Sequence, residues 1–438
     1  MAVLVRSRHR GEKVEPRSGD FMLERGYAIE RLAGGLTYVS NVEISPDGDI
    51  YFTEAGFSYP YVFTTPRLCR LNEDGTHDTI STAFDGPLIG LAWYEGDLLV
   101  THSGALARVT TGGAVRTLAG DLPSVGDHHT NHIVVRNGEV YFGQGSVTNT
   151  GVVGPDNLLP YGWLAAHGDA HDVPPYDVTL AGLDFSSRDP FLPVEIVRTG
   201  AFLEFREYSM PGQVVEGREK ATSAIYRADP DGGGFEVYCW GLRNPFALGM
   251  SPDARLWTVD QGADDRGSRP LPSKDAMYEV RRGAWYGFPD WFGGQPATVL
   301  ADRAEIDNPH GFVLQDPPER TPPAYVFPHE HCTPTQVDFC RSEDFGHFGE
   351  AFVAEFGSGA PAATGGRFRR SGRSIVRLDL ETMSSVDFYR NENPGLGGTG
   401  PERPVALRFS PDGEELLLAD FGRLGVPGTG AIWRIRPE

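Results

Sequence analysis

The stretch Leu407-Arg-Phe-Ser-Pro-Asp-Gly-Glu-Glu-Leu-Leu-Leu-Ala-Asp-Phe-Gly422 reads as an apolar strand, a tight Pro-Asp-Gly turn, a second apolar strand and a closing glycine. Turn residues that tolerate positive φ, set between β-rich runs, are the signature of a hairpin. The same plan recurs at Val42 to Gly56, Leu91 to Gly104, Ile133 to Gly145 and Leu248 to Gly262, and more loosely at Val337 to Gly357. Most copies continue into a third strand (Leu68 to Asn72, Ala107 to Thr110, Ile225 to Asp229, Ile375 to Asp379) and then a fourth, such as Phe235 to Cys239. Six repeats of four antiparallel strands predict an all-β, six-bladed propeller. The last repeat stops at Ile432 to Arg436 without a fourth strand, while Tyr27 to Leu32 belongs to no repeat. Pairing of these N- and C-terminal strands would close the ring with no free edge. The expectation is a single propeller over residues 19–438, with residues 1–18 a flexible extension. Insertions are expected at about 147–222, from the third blade, and 283–336, between the fourth and fifth.

Composition narrows the function. The 438 residues include 39 Lys and Arg against 60 Asp and Glu, a net charge of −21, and only three of the cations are lysines. A chain this acidic is a poor partner for nucleic acid, whose phosphates need a cationic face, and for anionic lipid. No apolar run is long enough to span a bilayer. The first ten residues are basic but lack an apolar signal core, so with Met1 as the start the chain is expected in the cytoplasm. Four cysteines without C-x-x-C spacing are too few for a disulfide scaffold; Cys332 and Cys340 could pair across a loop, but free, buried thiols are the favoured reading.

In a four-stranded blade, the loop between strands two and three leaves on the same face as the link from one blade to the next. Functional residues should gather there, around the channel. Asp127-His-His-Thr-Asn-His132 leads into the third blade, and a histidine at the channel mouth suits a general base. It could instead be a metal ligand, with His329, Glu330 and His331 from the loop before the fifth blade; a functional role for at least one is favoured over plain loop histidines. Gly241-Leu-Arg-Asn-Pro245 and Glu402-Arg-Pro404 put Arg243 and Arg403 on the same rim. Two arginines converging on one channel favour an anionic ligand over two separate inter-blade ion pairs. Asp260-Gln-Gly-Ala-Asp-Asp-Arg266 offers carboxylates and turn carbonyls, the hard oxygens that suit Ca2+. His167-Gly-Asp-Ala-His-Asp172 reads as a polar loop. Trp163, Trp285, Trp291 and Phe292 in the insertions suit a pocket wall or lid.

Taken together, these motifs resemble the glucose/sorbosone dehydrogenase family, six-bladed propellers that use pyrroloquinoline quinone with Ca2+. The similarity runs from about Gly19 to the C-terminus. It rests on Gly241 to Pro245, on the His-x-x-Asn-x-Ile pattern of His128 to Ile133, and on Asp260-Gln-Gly262 after the strand turn. The resemblance implies His128 as the base for a substrate hydroxyl, Arg243 and Asn244 against the quinone with Arg243 also catalytic, and Arg403 on a cofactor carboxylate. It implies the Gly262 and Ala263 carbonyls, with Asp260, at the metal. Asn131 and Asp85 join the cofactor-binding set, Asp85 standing where the soluble glucose enzymes carry glutamine. Those enzymes also use a lysine where this chain offers Arg367, Arg369, Arg370 and Arg373, and the chain looks nearer to the sorbosone-type branch. The implied activity is oxidation of a sugar or related alcohol or aldehyde, with the electron acceptor unspecified and a periplasmic or secreted location. The competing readings are a Ca2+-dependent lactonase-type propeller and a non-catalytic binding propeller.

Overall fold

The computed structural model describes residues 9–15, 19–59, 61–158, 162–300, 306, 308–358, 371–394 and 398–438. Six antiparallel sheets follow one another around a ring, each built outward from the axis in chain order. Their innermost strands are Val39–Ile44, Gly90–Tyr94, Thr130–Arg136, Pro245–Met250, Pro334–Phe339 and Pro404–Phe409. Alternate side chains of each strand pack against the blades on either side, so the core is a ring of interlayer clusters rather than one centre. One cluster joins Phe352, Phe388, Phe409, Leu418 and Ile435 of the last two blades. No α-helix occurs among the described residues, and no helix is long and apolar enough to cross a membrane.

Closure follows the expected splice. Tyr27–Leu36 pairs antiparallel with Gly430–Pro437, with Ile29 opposite Ile435 and Arg31 opposite Trp433. Two short strands add to this. Glu12–Val14, inside the segment expected as a flexible extension, pairs outside Tyr27–Leu36. Phe21–Leu23 pairs with Ser384–Asn391 and gives the fifth blade a fifth strand. The start of the chain thus stitches the fifth and sixth blades together and covers their outer edges.

The second insertion differs from the expectation. It lies inside the fourth blade, between Lys274–Glu279 and Tyr325–Glu330, so its end at 336 ran past the fourth strand. A connection between strands three and four leaves on the face opposite the blade links. The chain returns by climbing along Glu236–Trp240 of the third blade, where Trp285 bridges Trp240 in parallel. It reaches the other face at the loop after Asp260, where Arg269 meets Asp290 at 3.1 Å and Asn308 Nδ2 donates to the Ser268 carbonyl at 2.8 Å. Of the four aromatics expected to wall a pocket, Trp285 and Phe292 are buried in these contacts. Trp291 carries Arg320 over its ring, and Trp163 alone meets the residue beside His128. All four cysteines are free and buried.

The splice carries a buried ion pair. Glu30 is 6% exposed and meets Arg434 and Arg436 at 2.5 Å each. Glu30→Ala strands Arg434, which keeps only Glu415 at 3.5 Å, and is expected to cost about 3 kcal/mol in urea unfolding. The exposed Glu12–Arg31 pair is a control, where Glu12→Ala should cost less than about 1 kcal/mol. Equal, small effects would contradict closure through this pair.

Candidate functional site

The second strand of each blade ends in a polar residue: Glu54, His102, Gln144, Asp260, Glu355 and Asp420. In five blades this side chain holds the loop leading into its own blade. Glu54 accepts from the Thr37 N–H, His102 Nδ1 from the Asp85 N–H, and Gln144 accepts from Thr130 Oγ1 while donating to the Pro123 carbonyl. Asp420 accepts from the amides of Glu402, Arg403 and Gly422. Asp260 accepts from the Asn244 N–H at 2.7 Å and the Arg243 N–H at 3.3 Å. In the fifth blade Glu355 turns instead to Ser374 Oγ. The side chains thereby supply acceptors to loop amides that have no partner within the strand ladders.

Asp260, expected as a metal ligand, therefore serves the backbone that carries Arg243 and Asn244. The Asn131 and Asn244 side chains, expected to face a cofactor, meet each other instead: Asn131 Nδ2 donates to Asn244 Oδ1 at 2.8 Å. Asn244 Nδ2 donates to Gln261 Oε1 at 2.9 Å. Both asparagines are buried, and the strand carrying Asn131 slips register between Thr130 and Ile133. Asn131 Oδ1 is left buried without a partner. Arg243 is likewise engaged. Nε donates to the Asn149 carbonyl and Nη2 to Asn149 Oδ1, each at 2.8 Å, and the guanidinium also reaches the Gln261 carbonyl and Asp264.

His128 sits against this cluster. Gly145 makes the contact possible, since a Cβ there would lie 2.3 Å from His128 Cβ and 2.7 Å from Asn244 Oδ1. His128 Nδ1 lies 2.9 Å from the Ser146 carbonyl and 3.0 Å from Ser146 Oγ, whose own hydrogen is directed at the Thr148 carbonyl. A carbonyl can only accept, so the network assigns the proton to Nδ1 and leaves Nε2 a free lone pair on a partly exposed ring. Burial, and then the Arg243 guanidinium, hold the imidazole well below the ordinary histidine range, so it is neutral at neutral pH. The neighbouring Asp127 pairs with Arg266 at 2.7 Å and accepts from Trp163 Nε1 at 2.9 Å. Arg266 also holds Asp156 at 2.7 Å and Asp264 at 3.2 Å.

The structure thus brings His128, Asn131, Arg243, Asn244, Asp260, Gly262 and Ala263 into one hydrogen-bonded cluster. Gly262 donates its N–H to Asp275, whose other oxygen accepts from the Thr333 N–H. The Ala263 carbonyl accepts from the Ser273 N–H. Asp85 and Arg403 stand on the same face in other contacts. Asp85 is exposed in the loop before the second blade. Arg403 is buried, with its guanidinium on the carbonyls of Phe356, Gly357 and Ser358 and stacked on the Phe356 ring. Burial, and then Arg373, push it down to about 9. His331 joins the site, 3.5 Å from Asp264, whereas His329 is exposed at the end of its strand. Among the described residues no three His, Cys, Asp or Glu side chains form a metal-binding group. Arg367, Arg369 and Arg370 lie outside the described residues.

Sequence reasoning missed Asn149, the hub between Arg243 and the loop of Asp264, whose N–H it also accepts. It also gave no role to Arg266. Asp172, in the segment read as a polar loop, anchors the root of the first insertion through the Val147 and Thr148 amides and both Thr148 and Thr222 hydroxyls. The only sequence signal for Asn149 is the polar triplet Thr148-Asn-Thr150 in a Gly-rich stretch.

Burial raises the Asp260 carboxyl to about 7, against an ordinary value of 3.8. A raised folded-state value means that the stability this group contributes is complete below the unfolded value and falls as pH rises through the folded one. The stability margin of wild type over Asp260→Asn, read as urea midpoints, should therefore shrink as pH rises from about 4 to about 7. A margin that widens over that range would contradict the assignment.

No family model and no curated protein matches the chain. Solved structures do. The PQQ domain of pyranose dehydrogenase from Coprinopsis cinerea, in its holo form, aligns with a TM-score of 0.60 at 14% identity over 97% of this chain and 98% of its own. The soluble aldose sugar dehydrogenase from Escherichia coli, in its apo form, aligns at 0.57 and 12% identity over 94% and 100%. The aldose sugar dehydrogenase from Streptomyces coelicolor, in its PQQ-bound form, aligns at 0.53 and 14% identity over 95% and 99%. Over nearly its whole length, this chain has the propeller fold of these sugar dehydrogenases.

Proposed function

We propose that the protein is a quinoprotein oxidoreductase that oxidises a sugar or a related alcohol or aldehyde, with pyrroloquinoline quinone and Ca2+ held at the channel mouth and His128 as the base. The observation that carries this reading is the His128 imidazole, fixed with its proton on Nδ1 and an open Nε2 lone pair on the face where the loops between blades converge. Support comes from the fold shared with proteins solved in holo and PQQ-bound forms.

The residues present fit the cofactor at its anionic end. Arg403 and Arg373 repel each other in a buried setting, where Glu402 pairs with Arg373 at 2.7 Å. A ligand carboxylate relieves that repulsion. Arg403, Arg373 and the one Arg243 N–H not used internally would hold its carboxylates. The Gly262 carbonyl, with Asp264 and Asp265, would offer hard oxygens to Ca2+. Bound there, the quinone supplies a two-electron acceptor and the metal a Lewis acid. His128 takes the substrate hydroxyl proton on Nε2 while the Ser146 carbonyl holds Nδ1–H and keeps the ring aimed. Asp127 favours the imidazolium that forms.

His128→Ala is expected to lower kcat of quinone- and Ca2+-dependent dye reduction by roughly 10²–10⁴-fold, with quinone binding retained. Because the imidazole stays neutral below the ordinary histidine range, wild-type kcat/KM should hold level as pH falls from about 8 to about 6.5. Undiminished activity in the variant, or lactone hydrolysis that needs no quinone, would overturn the reading.

A further inference from the structure

The loop between the second and third strands of the first blade folds as a small hairpin, Phe57–Ser58 against Val62–Phe63. It carries four aromatic rings in mutual contact. Phe57 lies at the centre, 5.1 Å from Tyr59, 5.9 Å from Tyr61 and 5.5 Å from Phe63 between centroids. Phe63 is 73% exposed and Tyr59 43% exposed. The root of the hairpin is fixed: the Gly425 N–H from the sixth blade donates to Ser58 Oγ, and a Cβ on Gly56 would strike Pro66. By strand count this loop stands on the face that carries His128. Burial, and then the Asp127 carboxylate beside His128, raise both tyrosine phenols.

Exposed aromatic rings beside a polar mouth have a cost in water that a ligand can remove. The chemistry around them selects the ligand. Asp127, Asp156 and Asp264 share one cationic partner, Arg266, and their remaining carboxylate lone pairs can accept from ligand hydroxyls. A pyranose ring offers an apolar C–H face to an aromatic ring and a rim of hydroxyls to carboxylates and phenols. We propose that Tyr59 and Phe63 form a stacking platform for a second sugar unit, so that the preferred substrate is an oligosaccharide whose reducing end lies at His128. This rests on the oxidoreductase reading for the catalytic end, but the platform itself is tested by binding alone.

The experiment titrates the purified full chain, without quinone, with D-glucose, cellobiose and cellotriose by calorimetry, beside Phe63→Ala and Tyr59→Ala. Urea midpoints confirm that both variants fold. Cellotriose should bind wild type more tightly than glucose, and each variant should lose roughly three- to tenfold of that preference, as expected for removal of one aromatic contact. Choline should not compete. Absence of any preference for the longer saccharide, a preference unchanged in both variants, or competition by choline would overturn the platform. Saccharide binding through Phe63 in a protein that shows no quinone-dependent oxidation would instead overturn the functional reading and leave the platform standing.

Discussion

A propeller blade link must cross the top of the ring, and its amides there lack the ladder partners that strands supply. The side chain that ends each second strand answers that demand in five of the six blades, and the rest of the site depends on it. Asp260 and Asp420 do so with carboxylates that burial raises to about 7 and about 6. Each gains two or three backbone N–H donors for the charge it hides, which is how a buried acid becomes tolerable. The same hydrogen bonds fix where Arg243 and Arg403 leave the backbone.

Below the surface of the site, polar groups are arranged in depth. Asn131 and Asn244 lock the third blade to the fourth, Asn149 clamps Arg243 to the loop of Asp264, and Asp275 ties that loop to the fifth blade. His128 is the outermost member of this stack, resting on Gly145 and Ser146. Its orientation is therefore set by a neighbour that is itself held: the Ser146 N–H donates to the Arg243 carbonyl at 2.8 Å. A base positioned through the backbone of the adjacent blade is insensitive to side-chain rotation around it.

Much of the fold was legible because the signals were local and repeated. Pro-Asp-Gly turns such as that before Glu414 and the orphan strand at Tyr27 sufficed for six blades and their closure. The polar residue before each closing glycine was also present in every repeat, yet spacing alone does not say whether a carboxylate faces a metal or a backbone amide. That is why Asp260 read as a ligand. The contact of Asn131 with Asn244 was not legible either, since it joins two blades and the strand slips register between Thr130 and Ile133. Asn149 and Arg266 depend on contacts across 94 and 139 residues of chain, which no motif reports. The path of the second insertion, out on one face and back to the other along the third blade, is equally a tertiary fact.

The central claim is that the face carrying His128 and the Arg373–Arg403 pair holds a carboxylate-bearing quinone. The most direct measurement is a calorimetric titration of the full chain with pyrroloquinoline quinone, with and without Ca2+. The account predicts saturable binding of about one quinone per chain, tightened by Ca2+ and weakened about tenfold or more by Arg403→Ala, one charge-assisted contact being worth roughly 1.5–3 kcal/mol. Absence of saturable binding with Ca2+ present, or binding indifferent to Arg403, would contradict it.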